Sequence, residues 1–150
     1  MGGGLMVHRL RQLVEHRRAQ GRDAGMTSVE FAIGTPIIFG LLFLLVQFAL
    51  FFFADQVALA SAQAAAREAR ATAAADPGGW QSRARTVALN RIASLGPALT
   101  RNPEVVPENS GPNQVKVTVR VQVVNVIPWL NLTATATSEG PVERFVPDAG

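Results

Sequence analysis

An uncharged run of 24 residues, 31–54 (FAIGTPIIFGLLFLLVQFALFFFA), limits what this chain can fold into more than any other feature. As a helix rising roughly 1.5 Å per residue it reaches about 36 Å, enough to cross the hydrocarbon of a bilayer with some tilt. It is apolar on every side, with Gln47 its one strongly polar residue, so its solvent is lipid or other apolar helices. The chain is 48% hydrophobic and 17% charged, and the apolar excess sits in this run. What remains of the 150 residues supports one modest core.

Charge orients the run. The net charge of +3 is carried by residues 1–25, where Arg9, Arg11, Arg17, Arg18 and Arg22 outnumber Glu15 and Asp23; beyond them acids and bases balance. The C-terminal flank begins with Asp55. By the positive-inside bias the leader is cytoplasmic and the rest crosses. The sequence pI near 11.0 reflects arginine without tyrosine or cysteine, not a basic face that would wrap nucleic acid.

Beyond the membrane run the helix is expected to continue, because residues 56–75 are alanine-rich and free of glycine and proline. Asp76-Pro77-Gly78-Gly79 ends it. A second helix is predicted over 80–95, with Ala84, Val87, Ala88, Ile92 and Leu95 on one face, closed by Gly96-Pro97. Pro97, Pro103, Pro107 and Pro112 break residues 97–114 into a loop with at most a short strand at Val105-Val106. Val115, Val117, Val119, Val121 and Val123 alternate with polar residues in the clearest strand. Pro128 marks a connection, and Leu132, Ala134 and Ala136 alternate with threonines in a second strand, paired antiparallel to the first. The expected fold class is α+β and membrane-anchored. A cytoplasmic leader (1–25) precedes a transmembrane and extended helix (26–75), and an extracytoplasmic head (76–150) carries the second helix and a short antiparallel sheet, covered by the two helices.

Groups that do chemistry are scarce. There is no cysteine, which excludes disulfides, thiolate metal sites and a cysteine nucleophile, and no histidine beyond residue 16. His8 and His16 lie among arginines, where solvent or lipid headgroups are their natural neighbours. No paired carboxylates are forced together, and the glycines at 2–4 do not form a phosphate loop. A membrane-bound enzyme is the weakest reading; no cofactor, metal or nucleic acid is expected.

The informative junction is Gly25-Met26-Thr27-Ser28-Val29-Glu30-Phe31, where a basic leader ending in glycine meets the apolar run with one carboxylate just inside it. This junction resembles the processing site of type IV pilin-like proteins. With Pro36, the Arg67-Glu68-Ala69-Arg70 element and the Thr/Val-rich C-terminal strands, the chain resembles the TadE-like minor pseudopilins of tight-adherence (Tad/Flp) pilus systems. The likeness is good over residues 25–75 and loose in the head. It implies cleavage between Gly25 and Met26 by a prepilin peptidase and partners among other minor pseudopilins and the Tad pilus machinery of secretion and adhesion. It also implies a single-pass place in the bacterial cytoplasmic membrane.

Each marked residue has a physical reading of its own. Cleavage after Gly25 frees an amine on Met26, which Glu30 would neutralise in its own or a neighbouring subunit at low dielectric. Alternatively Thr27-x-x-Glu30 is a capping box that opens the helix. Pro36 removes the hydrogen bond to the carbonyl of Ala32, a kink that helps subunits pack or a neutral feature of membrane helices. Gln47 bonds between helices or sits at tolerable cost near mid-membrane. Arg67, Glu68 and Arg70 are a docking patch or a solvated helix face. Trp80 and Trp129 belong to the core or rim of the head, and Trp129 beside Pro128 is also placed to touch a membrane surface or a partner. A competing assignment is a secreted soluble binding protein whose signal peptide is cut near Ala60 or Ala62, where Ala58-Leu59-Ala60 and Ala60-Ser61-Ala62 fit the small-x-small rule. The apolar run exceeds the usual signal core of about 7 to 15 residues.

Overall fold

The computed structural model describes the backbone of residues 3–143 and the side chains of 27–143. The order of elements is α1 (Gly3–Thr72), α2 (Trp80–Leu95), β1 (Thr100–Gly111), β2 (Gln114–Val123) and β3 (Thr133–Pro141). The chain divides into two compact units, Met1–Phe43 and Leu44–Gly150. Within α1, Thr27–Thr72 is long and apolar enough to cross a membrane. The fold is α+β, with a long apolar N-terminal helix as its anchor.

From Leu44 onward the head assembles around a stripe of small residues on α1. Ala54, Val57, Ala58, Ser61, Ala62, Ala65, Ala66 and Ala69 are buried. Their spacing of three and four residues draws one line along a helix of 3.6 residues per turn. Small side chains let the sheet come close. The same cluster holds Val115, Val117, Val119, Val121 and Val123 of β2, Ala134 and Ala136 of β3, and Trp80, Ala84, Ala88 and Ile92 of α2. Burying a valine is worth roughly 1.5 kcal/mol or more, so β2 with its five is the energetic centre of the head. Val87, by contrast, is half-buried and Leu95 exposed, so the apolar face of α2 is narrower than its sequence pattern.

The sheet has three antiparallel strands in the order β1-β2-β3. The expected loop with at most a short strand at Val105-Val106 is therefore a 12-residue strand, and the two-stranded pairing gains a third member. Pattern hid this strand because only Thr100 and Val105 are buried along it. Its prolines are tolerated because an edge strand needs ladder donors on one side only. Pro103 falls within the irregularity between Arg101 and Glu104, where Asn102 has φ 45°, and Pro107 stands opposite Val117. On the wet face, Lys116 meets Glu108 at 2.7 Å and Arg120 meets Glu104 at 3.6 Å. Glu108 holds the Lys116 ammonium above its ordinary pKa, first by its hydrogen bond and then by its charge.

The turn between the helices is built on Asp76. Its Oδ1 accepts the Gly79 N–H at 3.0 Å, and its other oxygen pairs with Arg83. A Cβ on residue 79 would stand 2.9 Å from the Asp76 Cγ, so a larger residue there would have to displace the Asp76 carboxylate that caps the turn.

Candidate assembly helix and its clamp to the head

α1 carries every residue singled out for assembly. Gly25 and Met26, the expected processing site, fall outside the residues whose side chains are described. α1 starts at Gly3, so Thr27-x-x-Glu30 lies inside the helix rather than at its beginning. An N-cap needs non-helical backbone before it, so a capping box here becomes available only to a chain that starts close to Thr27, as one cleaved after Gly25 would.

Glu30 is exposed and Phe31 is 74% exposed. With Thr27, Gly34, Thr35 and Ile38 they line a shallow recess of about 290 Å³ on one helix face. Nothing lies within 4 Å of where a Cβ of Gly34 would stand, so the recess is open at its centre. α1 passes through Pro36 without ending. The Thr35 hydroxyl donates to the Phe31 carbonyl at 2.7 Å, satisfying that polar group inside the helix, as an apolar medium demands. Ile37, Ile38, Phe39, Leu41 and Leu42 are each more than half exposed. Near-consecutive residues point about 100° apart, so every side of this stretch lacks cover from the described residues.

Gln47 has partners that no sequence pattern announced. It is only 1% exposed, and its Oε1 accepts the N–H of Val126 at 2.8 Å and of Ile127 at 3.4 Å, while its Nε2 donates to the Val124 carbonyl at 3.3 Å. The single polar residue of the apolar run thus clamps the β2–β3 connection. A lone glutamine among apolar residues signals a buried hydrogen bond, but its partners are 77 to 80 residues away in sequence. At the other end of the head the Arg70 carbonyl accepts the Glu143 N–H at 3.0 Å. From residue 47 to 70 a helix rises about 35 Å, and from 114 to 124 a strand advances about 34 Å, so the stretch of α1 between its two ties to the head matches the central strand in length.

Arg67 is exposed and Glu68 half-buried. Arg70 lies across β3, where a Cβ on Gly140 would come within 2.7 Å of its guanidinium. Arg70 is therefore packed into the head, while Arg67 faces outward. Trp80 is buried in the core, and Trp129 is exposed.

No curated protein and no solved structure shows a significant match to this chain. Residues 25–67 match the family model described as TadE-like protein, under a third of the chain and the part that holds the apolar run and most of the buried stripe. Over that segment, which includes most of the apolar helix long enough to cross a membrane, the chain is similar to TadE-like proteins.

Proposed function

We propose that the chain is a minor pseudopilin of a Tad-type assembly and secretion apparatus. It works by helix packing rather than catalysis, crosses the cytoplasmic membrane once with its N-terminus inside, and loses its leader between Gly25 and Met26. The carrying observation is that the family match opens at residue 25, the glycine of the junction, and continues through the helix whose lower apolar stretch finds no cover among the described residues. Such a helix suits lipid before assembly and the helices of related pseudopilins afterwards, with prepilin peptidase acting in between. Glu30, which lines the recess with Phe31, would neutralise the freed amine of Met26 in its own or a neighbouring subunit.

A signal-peptide cut near Ala60 or Ala62 would sever α1 inside the buried stripe. It would strip Ala54, Val57, Ala58 and the Gln47 clamp from the head. That weighs against the secreted soluble alternative. The test is N-terminal sequencing of the wild type and Gly25→Leu from membranes. A wild-type chain starting at Met26, with the mutant left uncut, supports the proposal. A wild-type start at Ser61 or Gln63, or equal processing of both chains, overturns it.

A further inference from the structure

We infer that the β2–β3 connection, residues 124–132, is a second membrane contact, with Trp129 seated in the interfacial layer of the bilayer that α1 crosses. The inference rests on the membrane anchoring of α1 and adds a site in the head. Sixteen uncharged residues separate Glu30 from Gln47. As helix they span about 24 Å, short of the roughly 30 Å of bilayer hydrocarbon. Counted from Met26, the helix below Gln47 reaches about 31 Å. On either count Gln47 stands at the hydrocarbon edge or inside it, and so do the three backbone groups it binds. The next charge on α1, Asp55, is eight residues on, about 12 Å further toward water.

The connection is made for that depth. No charged side chain occurs between Arg120 and Glu139. Trp129 is 82% exposed, and Val126 beside it is exposed as well. An indole has an apolar body and one N–H donor, the combination that settles at headgroup level. The backbone of an irregular loop is costly near hydrocarbon unless its polar groups are bonded. Gln47 supplies those bonds to Val124, Val126 and Ile127, and the amides of Asn125 and Asn131 meet across the neck at 2.7 Å. This gives a reason for the one glutamine in the apolar run.

The experiment uses the full chain in phosphatidylcholine vesicles whose lipids carry bromine high on the acyl chain, with aqueous iodide as the opposing quencher. Trp80 is buried, so the Trp129 signal is the part of the tryptophan emission lost in Trp129→Phe. We expect that part to be quenched by brominated lipid and resistant to iodide, and to lose its lipid quenching in Gln47→Leu. If Trp129 is quenched by iodide and insensitive to brominated lipid while the protein still floats with the vesicles, the inference is overturned and the anchor stands. Protection from iodide without lipid quenching would assign the loop to a protein contact and also overturn it. Failure to float would defeat both the anchoring and the inference.

Discussion

Residues 37–46 and 54–69 belong to one helix, yet they have different solvents. The upper stretch presents a stripe of alanines to a valine-rich sheet and is covered by its own chain; the lower presents isoleucine, leucine and phenylalanine on all sides, uncovered among the described residues. Hydrophobicity alone would assign the roles the other way, since alanine is the weaker apolar residue. What distinguishes the stretches is periodicity. A helix that serves a head is apolar along one stripe and small where the sheet approaches, whereas one that serves lipid or a bundle of partners is apolar all round.

The contrast is broken most severely in the core of the head. Val119→Asp places an unpaired carboxylate in the dry cluster, and the head should lose several kcal/mol or fail to fold, seen as lost cooperative unfolding by circular dichroism. The same change is expected to leave membrane insertion of the lower helix intact.

Next in size is a pair of substitutions on α1 itself. Ala62 is fully buried, and Ala62→Leu overpacks the stripe at a cost of roughly 1–3 kcal/mol to the head. Leu42→Ala, on the lower stretch, changes the side chain by the same three carbons but should leave the midpoint of head unfolding unchanged. Equal destabilisation by the two in detergent would erase the distinction between the stretches.

Glu30 sharpens the lower half. Glu30→Gln keeps a capping hydrogen bond and removes the charge, so an ion pair with Met26 predicts loss of crosslinked partners from the membrane fraction while cleavage continues. Normal recovery of partners would leave only the capping contribution of about 0.5–2 kcal/mol.

The smallest effect lies on the wet face of the sheet. The Lys116 pKa is raised in the folded chain, so its contribution is fully present below the ordinary value of 10.5 and disappears as pH rises through the raised one. Head stability should therefore fall slightly on alkaline titration above 10.5, and Glu108→Gln should reduce that fall, leaving the smaller contribution of Glu139.

How far these elements could be read in advance follows from the same physics. α2 and β2 were legible because their periods, 3.6 and 2, are carried by valine, isoleucine and alanine against charged neighbours. β1 was not, because an edge strand with two prolines and two buried residues has no alternating signal. The role of Gln47 was not, since a residue inside the apolar run reads as membrane until the β2–β3 connection is folded against it. Arg70 looked like part of a surface patch because nothing local indicates that Gly140 leaves room for it.

α1 changes solvent along its length. The chain has no cysteine, so single cysteines can be placed at successive positions over 37–46 and 54–69 and spin-labelled in lipid vesicles. Labels at 37–46 are expected to be all open to dissolved oxygen from the lipid, without periodicity. Labels at 54–69 should alternate between immobile and mobile with a period near 3.6, immobile at Ala54, Ala58, Ala62, Ala65 and Ala69. A single 3.6-residue period of immobility through both stretches, or open labels at every position of both, would contradict it.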